Sequence, residues 1–212
     1  MIESPIRESF CEGILTLQFS RPKERNTLSA ETLRLLEEIL TRLQIDKSIT
    51  ALILTGTDDV FLSGANIREL SKLNHDEAEA FSRKGQRLTT ALSTLPFPTI
   101  AAINGYCMGG GLDFALACDM RIASSNAVFA HPGARLGIIT GWGGTQRLPR
   151  IIGRTKAIEL FATARRFSSA EALQAGLVTQ IADPVLAAAK DLVTTSSKNS
   201  QFPFDNLLSF ER

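Results

Sequence analysis

Pro98-Thr99-Ile100-Ala101-Ala102-Ile103-Asn104-Gly105-Tyr106-Cys107-Met108-Gly109-Gly110-Gly111-Leu112-Asp113 is the stretch on which the reading of this chain turns. Thr99 to Ile103 is a short apolar run of strand length and predicts a buried strand. Asn104-Gly105 marks a turn. Gly109 to Gly111 then open an apolar helix that runs through Cys118. Glycines at a helix start let the backbone approach a ligand closely, and free N–H groups and the positive end of the helix dipole face that ligand. A tight packing turn would explain the glycines but not Asp113. That acid lies on an otherwise apolar helix, where its charge needs a partner.

Working outward, Gly13 to Phe19 alternates and predicts a strand, which Arg21-Pro22 ends. Ser29 is placed to cap a helix with the apolar stripe Leu33, Leu36, Ile39, Leu40 and Leu43. Ile49 to Thr55 predicts a buried strand, and a loop with Gly56, Asp58, Asp59 and Gly64 follows. Asn74 to Leu95 is helical in pattern. Met120 to Ala123 and Ala127 to Ala130 predict short strands, and helical segments run from Gly143-Gly144 through Ala164. Ser168 and Glu171 form a capping box, Val178 to Ile181 predicts a short strand, and Pro184 starts a last helix. Strands alternating with helices give an α/β class, with residues 1–195 as one domain and 196–212 as an unassigned tail. No clean repeat is visible, and pattern alone does not fix the topology.

The chain has 212 residues, 44% of them hydrophobic and 21% charged, enough for one sizeable core. A formal net charge of +1 gives no global attraction to nucleic acid or acidic membranes. Cys11, Cys107 and Cys118 have no CxxC spacing and read as reduced core thiols of an intracellular, cytoplasmic protein. The start carries Glu3 and Glu8 and no apolar segment, so no signal peptide is expected. The apolar region from Pro98 to Ala123 is broken by Asn104, Asp113 and Asp119 and makes a poor membrane span.

Phe61-Leu62-Ser63-Gly64-Ala65-Asn66-Ile67-Arg68-Glu69-Leu70 is a second informative stretch. It joins a strand to a helical segment, where backbone N–H groups are free to point at a ligand, although a plain loop and helix start would look the same. A phosphate-binding loop is the obvious rival for the glycine tract. The chain has no GxxxxGK[ST], however, and GxGxxG with its acidic partner does not fit.

Together these two stretches resemble the enoyl-CoA hydratase/isomerase (crotonase) family. Arg21-Pro22 with Asn26-Thr27-Leu28, Cys118-Asp119-Met120-Arg121-Ile122-Ala123, and Gly143-Gly144-Thr145-Gln146-Arg147-Leu148-Pro149 match it in the same order. The resemblance spans about Ile14 to Ile181. It implies a spiral of ββα units with two roughly perpendicular sheets, and a homotrimer or a pair of trimers. It further implies that the substrate is an acyl-coenzyme A thioester of the kind met in fatty acid metabolism, with no separate cofactor and no metal. The N–H groups of Ala65 and Gly110 would form an oxyanion hole, and Asp113 would be a side-chain acid/base. Asn66, Ile67 and Arg68 would line the adenine end of coenzyme A, and Arg25 would lie near its phosphates. Solvated surface charge is the plainer reading of Arg25 and Arg68. Asp119 and Arg121 match but read as structural.

The chain also departs from that pattern. A typical hydratase of the family uses two glutamates around a water. Here the first falls on Asp113, one methylene shorter, and the second on Gly133, which has no carboxylate. One missing acid/base group costs on the order of 10²–10⁴-fold in rate. Asn66 replaces the usual aspartate. His131 and Arg135 flank Gly133 and are candidates to compensate, although His131 reads first as structural. The family's C-terminal helix, which caps the acyl pocket, usually continues for several dozen residues more. Two functions remain: an enolate-forming enzyme (isomerase, hydratase lyase or related), or a non-catalytic acyl-CoA-binding or assembly subunit. A serine protease on a related fold fails for lack of a nucleophile and histidine pair.

Overall fold

The computed structural model describes residues 4–198. Strand β1 (Ile6–Cys11) pairs antiparallel with β2 (Ile14–Phe19). Helix α1 (Ala30–Leu43) follows, and the Ser29 hydroxyl caps it by accepting from the Thr32 N–H. All five residues of its apolar stripe are buried. Next come β3 (Ala51–Thr55), β4 (Val60–Leu62), the single-turn α2 (Ile67–Leu70) and α3 (His75–Ser93). Asn74 and Glu77 close α3 with a reciprocal capping box.

The glycine tract lies in the next unit, β5 (Thr99–Ile103), β6 (Tyr106–Met108) and α4 (Gly110–Ala117). Then come β7 (Met120–Ala123), β8 (Val128–Ala130) and a 3-10 turn at Pro132–Leu136. The rest is α5 (Gly144–Ile152), α6 (Arg154–Thr163), β9 (Phe167–Ser168), α7 (Ser169–Gln174), β10 (Gln180–Ile181) and α8 (Val185–Lys198).

Three successive strand pairs are shared between two sheets. The first strands of the pairs, β3, β5 and β7, join a six-stranded sheet in the order β1-β2-β3-β5-β7-β10. The second strands, β4, β6 and β8, join a four-stranded sheet in the order β4-β6-β8-β9. Neighbours within each set of three run parallel. Each pair is followed by helix, so the chain winds as a spiral of ββα units, an α/β fold. Asn104-Gly105 is the step from one sheet to the other. The Asn104 side chain accepts from the Gly56 N–H at 2.8 Å and donates to Asp58 O at 2.9 Å, and Tyr106 N–H donates to Asp59 O at 2.8 Å. One crossing loop thus holds the one before it.

The central strands β3, β5 and β7 of the large sheet are buried on both faces, and their side chains alternate between two cores as a strand's period of two requires. Leu52, Leu54, Ala101, Ile103 and Ala123 face the larger core, which α1, α3 and α4 complete. Ala51, Ile53, Ile100, Ala102 and Ile122 face a smaller core closed by Val185, Ala189 and Val193 of α8.

Some sequence expectations change. The loop expected after Thr55 contains β4, and β6 follows the Asn104-Gly105 turn directly. Three-residue strands are too short to show a period. The ββ repeat was invisible in the sequence for the same reason. Cys107 and Cys118 are core thiols, and burial pushes the Cys118 thiol up to about 12. Cys11, by contrast, is exposed. The final helix runs past residue 195 to Lys198, and residues 199–212 of the tail lie outside the described residues. Among the described residues no helix is long and apolar enough to cross a membrane.

Candidate active site

Two loops from neighbouring ββα units meet at the site. Gly64 has φ of +89°. A Cβ there would lie 2.8 Å from the Gly110 nitrogen and 2.9 Å from Met108 O, so the backbones after β4 and after β6 are in contact. The segment Asn26-Thr27-Leu28 holds the first loop. Asn26 is buried, donates to Val60 O at 2.8 Å and accepts from the Arg21 N–H at 2.8 Å. Leu28 N–H donates to Gly64 O at 2.8 Å in a parallel bridge with Ala65. A parallel bridge engages the backbone groups of only one of its two residues, here Leu28, which leaves the Ala65 N–H out of that ladder. Gly110 begins α4, so its N–H has no carbonyl partner within the helix.

Ala65 and Gly110 border one cavity of about 400 Å³, together with Ile67, Asp113 and Gly133. With His131, six of the residues singled out in the sequence are therefore brought together. Gly110 also carries the packing of the inner wall, since a Cβ on it would lie 2.4 Å from the Trp142 ring. Trp142 itself packs against Phe81, with ring centroids 5.2 Å apart, and edge-on to Phe114 at 6.1 Å.

Asp113 is 1% exposed and fully engaged. One carboxylate oxygen is 3.0 Å from His131 Nε2, and the other accepts from the Thr140 hydroxyl. His131 is itself buried and packs its ring against Phe161 at 5.1 Å. Gly133 lies in the 3-10 turn, where Ile138 N–H returns to Gly133 O at 3.1 Å. Its φ is not in the left-handed region, so conformation does not demand glycine there. Space does, because a Cβ would lie 2.5 Å from Ile138 O.

The other sequence candidates lie elsewhere. Arg25 borders a second, smaller cavity of about 160 Å³ with Arg135 and Arg166, and the two cavities share Ser63 and Pro132. The Arg166 guanidinium lies 5.8 Å from the Tyr106 ring centroid. The Asn66 side chain is occupied locally, capping α2 through the Arg68 N–H at 3.1 Å and donating to Glu69 at 3.0 Å. Asn66 and Arg68 border neither cavity. Asp119 is structural as expected, accepting from the Thr99 N–H and hydroxyl, both at 2.8 Å. Arg121 donates to Leu177 O at 2.8 Å and to Cys118 O at 2.6 Å, and burial lowers its pKa. Arg147 of the Gly143-Gly144-Thr145-Gln146-Arg147 motif ties Thr89 to Trp142 O, each at 3.3 Å.

Sequence reasoning missed Thr140, Trp142 and Arg166. The sole tryptophan, immediately before Gly143-Gly144, was the available signal. Nothing local marks Thr140 or Arg166, whose partners are distant in sequence.

A sequence profile described as enoyl-CoA hydratase/isomerase matches residues 9–201. YngF of Bacillus subtilis is 44% identical over 191 residues, covering 89% of this chain and 74% of that protein. A short-chain-enoyl-CoA hydratase of Clostridium acetobutylicum is 37% identical over 190 residues, covering 88% and 73%. A crystal structure of an enoyl-CoA hydratase from Bacillus anthracis superposes with a TM-score of 0.87 at 34% identity, over 90% of this chain and 76% of that one. The profile alone accounts for most of the chain, and the ββα spiral agrees with it: the protein belongs to the enoyl-CoA hydratase/isomerase family.

Proposed function

We propose that the protein is an enzyme that binds acyl-coenzyme A thioesters and forms an enolate from them, with the Ala65 and Gly110 N–H groups receiving the negative charge. The observation that carries this reading is their convergence, with Asp113, on one cavity. Fixed N–H donors aimed at a developing oxyanion are often the largest single catalytic contribution. They are backbone groups and do not depend on the altered side chains. Arg25 and its two arginine neighbours supply positive charge beside the same Ser63-Gly64 loop, suited to the phosphates of coenzyme A. Asn66, Ile67 and Arg68 would form the adenine end of that path, and no separate cofactor is needed.

The bare Gly133 favours a second reading, a non-catalytic acyl-CoA-binding or assembly subunit. The reading as an enzyme includes a cytoplasmic location and a homotrimer or pair of trimers. Leu136, Ile138 and Ile139, exposed on the cavity rim, suit an assembled form.

A panel of acyl-CoA thioesters, measured for binding by calorimetry and for turnover by absorbance, separates these readings. Crotonyl-CoA and free coenzyme A are expected to bind with similar sub-millimolar affinity, and at least one thioester is expected to turn over. Binding without turnover across the panel selects the non-catalytic reading. No binding at all removes both.

A further inference from the structure

We propose that His131 is the side chain that moves the substrate's proton, and that Asp113 is a positioning residue that holds the imidazole. The inference rests on the enolate reading above and assigns its acid/base group.

Elimination gives the first argument. Among the described residues bordering the cavity, Asp113 and His131 are the only carboxylate and imidazole, and no lysine, arginine, cysteine or tyrosine is among them. Asp113 already has both oxygens in use, one on His131 and one on Thr140. A carboxylate so held resembles the orienting acid of a catalytic triad more than a free base.

The imidazole gives the second argument. Where Asp113 acts as a carboxylate it only accepts, and the proton of the 3.0 Å contact then belongs to His131 Nε2. Nδ1 is then a lone pair, and among the described residues it makes no hydrogen bond to protein. Every fully buried polar side-chain atom there does have a partner. Nδ1 therefore reaches accessible space, and the ring borders both this cavity and a neighbouring one of about 330 Å³ beside Phe161. The ring's orientation is fixed by Asp113 on one side and by Phe161 at 5.1 Å on another.

The proton transfer balances without a co-reactant. Nδ1 takes the α-proton, so a C–H bond breaks and an N–H bond forms. The electron pair passes into the enolate, whose oxygen accepts from the Ala65 and Gly110 N–H groups. Asp113 stabilises the imidazolium. Return of the proton to Cα gives exchange, and return to Cγ of an unsaturated thioester shifts the double bond.

The test follows deuterium entering the α-position of butyryl-CoA in D2O by NMR. In His131→Gln the side-chain amide can occupy the place of Nε2 and still donate to Asp113, so a purely structural role survives. Thioester affinity and melting temperature are expected to stay near wild type while exchange falls by about 10²-fold or more. A folded His131→Gln protein that exchanges at the wild-type rate overturns the proposal. A wild type that binds butyryl-CoA without exchanging it overturns the enolate reading as well, which tells the two failures apart. A measurement on the unaltered protein covers the case in which the variant does not fold. The chain has two histidines, His75 and His131, so ¹⁵N-histidine spectra are simple. Saturation with butyryl-CoA should move the His131 Nδ1 resonance, and an unmoved resonance overturns the assignment.

Discussion

The two walls of the cavity are built from different materials. One is main chain: the Gly64-Ala65 corner and the Gly109-Gly110 start of α4, held in contact by the sheet-to-sheet crossings beneath them. The other is side chain: Asp113, His131 and Thr140, with Gly133 bringing no side chain beside them. A backbone donor survives any substitution that leaves the fold in place, whereas a side-chain acid vanishes with one codon. The charge-receiving half of a mechanism can therefore persist while the proton-moving half is rebuilt from other groups.

Substitution at Asp113 should have the largest effect. Asp113→Asn can still satisfy both partners, its carbonyl accepting from His131 Nε2–H and its amide donating to the Thr140 hydroxyl oxygen, so the melting temperature should stay within a few degrees. An amide carries no charge to stabilise the imidazolium, so turnover of the best thioester should fall by about 10²–10⁴-fold. Thermal melts and steady-state kinetics on one preparation check both halves. A large drop in melting temperature would make Asp113 a structural acid and erase the distinction between the walls.

The opposite wall comes next. Gly110→Ala puts a Cβ against the Trp142 ring, which must move or push the N–H away from the oxyanion. A loss of about 10²–10³-fold in kcat is expected, with a stability loss of about 1–3 kcal/mol from overpacking. Unchanged kcat would mean that the charge develops elsewhere.

Gly133→Glu sharpens the comparison. From the sequence alone, restoring a glutamate at this position should raise hydration of crotonyl-CoA. The structure weighs against that gain, because a Cβ there would lie 2.5 Å from Ile138 O and the turn must shift to admit it. The variant should lose about 1–3 kcal/mol and gain no hydratase activity. A folded, faster variant would show that the turn yields easily and that the missing carboxylate alone limits the rate.

The smallest effect belongs to the second cavity. Arg166→Ala should weaken free coenzyme A by a few-fold, about 1 kcal/mol for one exposed charge contact, and leave kcat unchanged. Equal weakening of a thioester that lacks the nucleotide would place Arg166 outside the phosphate path.

What the sequence made legible follows from distance along the chain. Ser29 and its stripe, the Asn74 and Ser168 caps, and the strand-turn-helix around Gly109 are local patterns, and each could be read from a short window. Asp113 stood out because one acid on an apolar helix is a local anomaly. Its partners did not, since Thr140 lies 27 residues away and His131 lies 18 residues away, on the far side of two strands. The crowding at Gly133 depends on the chain folding back at Ile138, which no pattern announces. Gly133 was singled out through the resemblance and borders the cavity, while the contact that crowds it is long-range in space and leaves no mark in a short window.

In the proposed reading the main-chain wall receives the thioester oxygen independently of the side-chain wall. The ¹³C shift of [1-¹³C]crotonyl-CoA bound to the wild type and to Asp113→Asn tests it without requiring turnover. Hydrogen bonds from Ala65 and Gly110 should polarise the carbonyl and move its resonance downfield of free crotonyl-CoA in both proteins, to a similar extent. A bound thioester whose carbonyl shift equals that of the free ligand would contradict the account.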